Sequence, residues 1–113
     1  MSFVKFTGSH KTVGPMVSIY KAGAIGLNKA VLDKYELRKY RYALFYYDKD
    51  EQKIGIQFTS KEEAGAYAIR PRSGKAADLS GRAFLQYFEI EHSETKRFMP
   101  EWDDRHNMLI IQP

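Results

Sequence analysis

The chain has 113 residues, of which 43% are hydrophobic, 14% aromatic and 28% charged, and its formal net charge is +4. This length and composition predict one folded domain with its own core, and they exclude a disordered chain, which would hold fewer aromatic residues. The absence of cysteine excludes disulfide bonds, thiol catalysis and cysteine-ligated zinc, and it favours a reducing compartment.

The first half of the chain is predicted to contain a leader, a strand and a helix. Residues 1–15 are interpreted as a short N-terminal leader with a brief edge strand. Residues 16–20 are rich in β-forming side chains and predict a strand. Asn28 is the predicted N-cap of a helix over residues 29–37, because its side chain can accept a hydrogen bond from a free backbone N–H. The apolar stripe of that helix consists of Val31, Leu32 and Tyr35.

A hairpin is predicted to follow this helix. Residues 40–47 form the strongest strand pattern, and both faces of that strand are apolar, which indicates burial on two sides. A polar turn at 48–52 separates it from a second strand. In the second strand Ile54, Ile56 and Phe58 alternate with polar or small residues, as in a half-buried strand.

The second half of the chain repeats the order of the first. Residues 66–70 predict a strand, and Ser80 is the predicted N-cap of a helix over residues 82–90. Strands at 97–102 and 108–111 then form a second hairpin. The two halves therefore have the same sequence of elements, each a βαββ unit.

The two halves also match residue by residue. At an offset of 52, Leu27 aligns with Leu79 and Asn28 aligns with Ser80. At an offset of 55, Leu44, Tyr47, Asp48, Ile54 and Ile56 align with Met99, Trp102, Asp103, Leu109 and Ile111. The sequence therefore predicts an internal duplication. The alternative is chance similarity between two ordinary βαββ stretches.

The duplication predicts the fold class. Neither unit has enough strands to bury its apolar face alone, so two units must share one core. We expect a single α+β domain over 1–113, with repeats at about 16–58 and 66–112. The predicted architecture is a small mixed sheet or barrel with two short helices and pseudo-two-fold symmetry. It implies a monomer with a pseudo-dimeric fold, or a weak homodimer.

The stretch over residues 17–29 places a strand, a glycine turn, a short apolar segment and a helix cap in direct succession. This order resembles the AbrB-like swapped-hairpin DNA-binding proteins, in which two βαββ units interlock. The resemblance implies two such units fused in one chain, with double-stranded DNA as the partner. It also implies that the DNA-facing loops carry Lys21, Lys29, Arg70, Arg72 and Lys75.

Two basic runs are candidate phosphate-binding sites. The first covers residues 70–75, with Arg82 beyond it, and arginine forks and loop N–H groups suit phosphate oxygens. The second includes Arg38, Lys39 and Arg41 after the first helix, where cations also stabilise the helix dipole. A solvated surface is the alternative for both runs. The predicted nucleic-acid-binding residues are Lys21, Lys29, Arg38, Lys39, Arg41, Arg70, Arg72, Lys75 and Arg82.

Charge and hydropathy indicate where such a module would work. Residues 1–60 hold ten Lys or Arg against five Asp or Glu, whereas residues 61–113 hold eight against nine. A basic half favours a polyanionic partner. The first five residues lack the apolar core of a signal peptide, and no apolar run approaches the roughly 20 residues of a membrane span. The sequence therefore predicts a cytoplasmic protein with no membrane partner.

No catalytic, cofactor or metal site is predicted. The acidic turn at 48–51 lacks the glycine and the later glutamate of a calcium loop. His10, His92 and His106 lack metal-ligand spacing. The predicted function is a small non-catalytic nucleic-acid-binding module, with a DNA-binding regulator as the candidate role. The alternative is a protein-interaction or assembly module that binds no nucleic acid.

Overall fold

A computed structural model describes residues 14–113, so most of the predicted leader, including its edge strand, lies outside the described residues. Two helices, α1 and α2, cover Lys29–Lys34 and Arg82–Tyr87, and short 3-10 helices cover Leu37–Lys39 and Ser73–Lys75. Strands β1 to β10 are Val17–Ile19, Ala24–Leu27, Tyr42–Asp48, Lys53–Thr59, Tyr67–Ala68, Arg70–Pro71, Ala77–Ser80, Lys96–Phe98, Glu101–Asp103 and Met108–Ile111.

The strands form two antiparallel sheets of five strands each, which makes the protein α+β. The first sheet has the order β6-β7-β2-β1-β8, and the second sheet has the order β5-β3-β4-β10-β9. The expected α+β class and the two short helices are therefore confirmed, while the strands form two antiparallel sheets and not one mixed sheet. Short turns join β1 to β2, β3 to β4 and β9 to β10, and a short turn permits only antiparallel pairing because parallel strands need a long crossover.

In each sheet, two adjacent strands from the first half lie between strands from the second half. In the first sheet β2 pairs with β7, and Gly26 lies opposite Asp78, 52 positions later. In the second sheet β4 pairs with β10, and Gly55 lies opposite Ile110, 55 positions later. At the sheet edges β8 pairs with β1 and β5 pairs with β3. The halves are thus joined by backbone hydrogen bonds at four strand pairs.

The cap of α1 is confirmed, whereas the cap of α2 is wrong. The Asn28 side chain accepts a hydrogen bond from the backbone N–H of Val31 at 3.0 Å. Ser80 instead ends β7, where it lies opposite Ala24, and the N-cap of α2 is Gly81, which makes no side-chain cap bond. Pairing with Ala24 keeps Ser80 in the sheet, so the cap position falls to Gly81, while α2 begins at Arg82 as predicted.

Both helices and two strands are shorter than the sequence predicts. The helices stop at Lys34 and Tyr87, before left-handed residues Glu36 and Glu89, whose φ angles are 53° and 54°. The strand expected over 97–102 is interrupted at Pro100, which has no N–H to donate to a ladder. The strand expected over 66–70 is split, because β5 joins the second sheet whereas β6 joins the first.

One hydrophobic core lies between the sheets. Ile25 and Leu79 of the first sheet, and Ile56 and Leu109 of the second, are fully buried in the same cluster. The expected burial of β3 on both faces is wrong, because Tyr46 is 46% exposed. Most other aromatic residues support the core, including Phe45 and Phe84, Tyr35 and Trp102, and the half-buried Tyr40 and Tyr67.

Candidate nucleic-acid interface

A row of directly opposed residues crosses the outer face of the first sheet. Residues opposite each other in an antiparallel ladder share one face of the sheet. Arg70 on β6 lies opposite Asp78, Asp78 opposite Gly26, Gly26 opposite Ser18, and Ser18 opposite Arg97 on β8. The neighbouring residues of these strands, including Val17, Ile25 and Leu79, point into the core. We call Arg70, Asp78, Gly26, Ser18 and Arg97 the arginine row.

Asp78 organises one end of the arginine row. Its carboxylate accepts hydrogen bonds from the Nε of Arg70, at 2.9 Å, and from the Nε of Arg72. Asp78 is only 8% exposed, while both arginines are exposed. One buried negative charge therefore holds two positive charges at the surface, and this end of the row keeps a net positive charge.

The middle of the row holds small residues. Gly26 has no side chain, and a Cβ at that position would lie 2.7 Å from Cε2 of Tyr20, so the Tyr20 ring covers the glycine. Ser18 beside it is 8% exposed. A shallow cavity of about 300 Å³ lies between Tyr20 and Arg72. The centre between the two arginine-bearing edges therefore presents the partly exposed Tyr20 ring beside a shallow cavity.

Arg38 extends the basic surface beyond the sheet. Its Nη2 donates a hydrogen bond to the backbone oxygen of Lys75 at 2.8 Å, which ties the segment after α1 to the turn between β6 and β7. Arg38 and Lys29 also contact the Asp33 carboxylate, at 3.1 and 2.7 Å. Hydrogen bonds from Lys29 and then Arg38 hold the pKa of Asp33 below its ordinary value. The Asp33 carboxylate thus offsets part of the positive charge of Lys29 and Arg38.

Lys21 and Arg82 lie together at the opposite end of the first sheet from Lys75. The chain turns between β1 and β2 at Gly23, whose φ of 99° favours glycine. A Cβ on Gly23 would lie 2.5 Å from the Cβ of Arg82, so this turn packs on the start of α2. The backbone N–H of Lys21 donates to Oγ1 of Thr95, which places the turn beside β8.

Two basic residues of the surface were missed by the sequence predictions. They lie on the edge strand β8, about 78 residues after their partners on β1. Arg97 is opposite Ser18 on the outer face, whereas the exposed Lys96 is opposite Ile19, on the other face of the strand. Two predicted residues lie elsewhere. Lys39 stands over the Tyr40 ring, and Arg41 lines a separate cleft of about 480 Å³ with Arg38.

The two sheets differ in charge. The first sheet and the turns within its hairpins carry six basic residues and one acidic residue, Asp78. The second sheet and its hairpin turns carry three basic and six acidic residues. The positive charge is therefore concentrated on one sheet. The stretches compared are 17–27, 70–80 and 96–98 for the first sheet, and 42–59, 67–68 and 101–111 for the second.

The histidines provide no metal site in the part of the chain that the structure describes. His106 Nδ1 lies 2.8 Å from the Asp103 carboxylate, and His92 Nδ1 lies 2.9 Å from the backbone oxygen of Ile90. Among residues 14–113, no three His, Cys, Asp or Glu side chains are grouped to hold a metal ion. His10 lies outside that range.

None of the helices described is long and apolar enough to cross a membrane.

Comparison with known proteins adds no relative. No family model, no curated protein and no solved structure matches this chain.

Proposed function

We propose that this protein binds nucleic acid, with duplex DNA as the ligand, through the outer face of the first sheet. The observation that carries the proposal is the segregation of charge, with six basic residues and one acidic residue on that sheet and its turns. Neutralising phosphates releases counterions from DNA, and this is the main source of sequence-independent affinity. A surface of exposed arginines and lysines supplies that interaction.

The dimensions of the arginine row suit a duplex. Arg70 and Arg97 lie on the two edge strands, four strand spacings apart, which is about 19 Å. The major groove of B-DNA is about 12 Å wide. Arginines at the two edges can therefore reach phosphates on both sides of a groove, while the Tyr20 ring that covers Gly26 faces the groove itself. Phosphate contacts of this kind set the orientation of the protein on the duplex.

We further propose that the chain is a duplicated, AbrB-like pair of βαββ units with pseudo-two-fold symmetry. The strand registers support this. A two-fold axis between equivalent antiparallel strands places a residue opposite its own equivalent, and Gly26 lies opposite Asp78 at the offset of 52, as Gly55 lies opposite Ile110 at the offset of 55. The hairpins β3–β4 and β9–β10 also match in register at the offset of 55. Two interlocked units complete one core, so we expect a monomer in solution.

Fluorescence anisotropy with a labelled duplex tests the proposed function. Binding should weaken as salt rises, because log affinity falls by about 0.9 per neutralised phosphate for each tenfold rise in salt. Arg97→Gln should weaken binding about tenfold, or about 1.4 kcal/mol, and reduce the salt slope by about 1. Lys53→Gln, which removes a basic residue from the second sheet, is the matched control and should change the affinity by less than about twofold.

Absence of duplex binding at low salt would contradict the proposal and favour a protein-interaction module instead. If Arg97→Gln and Lys53→Gln weakened duplex binding equally, the binding surface would lie elsewhere than on the first sheet. Circular dichroism of both variants distinguishes lost contacts from lost structure, since both changes are at partly or fully exposed side chains.

A further inference from the structure

The outer face of the second sheet carries apolar residues. Tyr46 lies opposite Gly55, Gly55 opposite Ile110, and Ile110 opposite Glu101 on the edge strand. A second row crosses the same four strands beside it. The members of that row are Leu44, Gln57, Met108 and Asp103.

This apolar centre is open to solvent. Tyr46 is 46% exposed, while Leu44, Met108 and Ile110 are partly buried. A Cβ at Gly55 would lie 2.5 Å from Sδ of Met108, so Met108 lies over the glycine and forms part of the surface. Gly55 and Met108 together line a groove between β3 and β10, and the concavity has a volume of about 460 Å³. Partly exposed apolar side chains grouped in a concavity offer a partner apolar surface to bury.

The groove has an acidic rim. Asp103 and Glu51 line it together with Asp48, and Glu101 lines a smaller cavity of about 160 Å³ next to Ile110. Lys53 is the one basic residue lining these two cavities in the described chain, and it lies 3.6 Å from Glu51. The groove therefore favours a ligand that is apolar on one side and positively charged along its flanks.

We propose that this groove docks a basic amphipathic helix of a partner protein. Strands β3, β4 and β10 span about 10 Å, and an α-helix with its side chains is about 10–12 Å in diameter. Leucine-like side chains of the helix would contact Tyr46, Met108 and Ile110, and its lysines or arginines would meet the acidic rim. Nucleic acid is disfavoured by the negative charge, and a second copy docked through the same face would bring two acidic rims together.

The surface can be tested independently of nucleic-acid binding. The probe is a synthetic peptide of leucine and lysine, about 14 residues or four helical turns long, with leucines on one face. NMR titration of the isotope-labelled full chain should show amide shifts at Tyr46, Gly55 and Ile110. Ile110→Lys should weaken binding at least about tenfold by placing a cation in the groove. Glu101→Lys should weaken it about threefold through the rim.

Two controls make the outcome decisive. Arg97→Glu on the first sheet should leave peptide binding unchanged, and a peptide with glutamate in place of lysine should not bind. Shifts outside the second sheet, no binding, or equal binding of both peptides would overturn the proposal. Sedimentation velocity tests whether a second copy of the chain occupies the groove. A dimer of the wild-type chain that Ile110→Lys abolishes would assign the groove to a second copy and would also overturn the proposal.

Discussion

The two sheets are alike in the number and direction of their strands, but the side chains on their outer faces differ. Each has five antiparallel strands, and each has a glycine at the centre of the join between the halves, Gly26 in the first sheet and Gly55 in the second. A neighbouring side chain covers each glycine, Tyr20 in one case and Met108 in the other. Around Gly26 the cross-strand row ends in arginines, whereas around Gly55 it holds Tyr46, Ile110 and an acidic end residue.

This difference separates what the inner and outer faces contribute. The buried residues of the inner faces of both sheets are apolar and support one core, so they specify the fold. The outer faces are free of that requirement and differ in charge and hydropathy. We infer that the same pleated surface serves a polyanion on one side and a cationic protein segment on the other.

The largest expected effect tests whether the two sheets are one cooperative structure. Ile25→Ala in the first sheet and Ile56→Ala in the second should each lower the free energy of unfolding by about 2–5 kcal/mol, because each removes a fully buried side chain. Urea unfolding should be followed by far-UV circular dichroism and by the fluorescence of Trp102, which lies in the second sheet.

If the sheets share one core, Ile25→Ala must shift the Trp102 transition as much as the circular dichroism transition. A Trp102 transition that stays unchanged in Ile25→Ala would instead mean that the sheets unfold separately.

Asp78 provides the second comparison, because it is the one acidic residue counted on the first sheet. Asp78→Asn keeps the side-chain shape but removes the charge that holds Arg70 and Arg72. Duplex affinity should rise about threefold to tenfold, since more positive charge becomes available to phosphates. Anisotropy measures the change, and Asp103→Asn on the second sheet is the control. An unchanged affinity in Asp78→Asn would exclude this end of the row from the interface.

Much of the fold could be predicted from local patterns. The cap at Asn28, the turn before β2, and the strand Met108–Ile111 all follow from residue types at short spacing. The assignment of strands to two sheets could not be predicted, because β5 and β6 are separated only by Ile69 and yet join different sheets. That choice depends on packing between distant segments, which local propensity does not encode.

The candidate interface could be predicted only where its residues are close together in the sequence. Arg70, Arg72 and Lys75 are adjacent in sequence, so their clustering is local. Arg97 reaches the arginine row only because β8 from the second half pairs with β1 from the first. The ion pairs of Asp78 with Arg70 and Arg72 could not be predicted either, because nothing in the sequence distinguishes that aspartate from a solvated one.

A third prediction concerns the helices that lead away from the first sheet. Asn28→Ala should lower the free energy of unfolding by about 1 kcal/mol, because it removes the side-chain cap of α1. It also removes bonds to Met16 and Gly14 that anchor the entry to β1. Ser80→Ala, at the matching position of the second half, should change stability by less than about 0.5 kcal/mol. Thermal unfolding compares the two, and equal losses would contradict the assigned cap at Gly81.

The smallest expected effect is an acid response of the second sheet. A hydrogen bond with His106 holds the pKa of Asp103 below its ordinary value, with smaller contributions from backbone N–H groups. A lowered carboxyl pKa contributes stability at neutral pH, and this contribution is lost as the pH falls below about 4, through the folded-state pKa. Carbon NMR of the Asp103 carboxyl should give the lowered midpoint. Asp103→Asn should remove this part of the acid sensitivity, and an unshifted midpoint would contradict the assigned hydrogen bond.

An NMR footprint of duplex DNA on the full chain tests the central claim most directly. With a short duplex at low salt, we expect amide shifts along the arginine row, at Ser18, Gly26 and Arg97, and around Lys21 and Lys75, all diminishing as salt is raised. Gly55 and Ile110 on the second sheet should remain unperturbed. Shifts centred on the second sheet, or no shifts at all, would contradict the assignment of nucleic-acid binding to the first sheet.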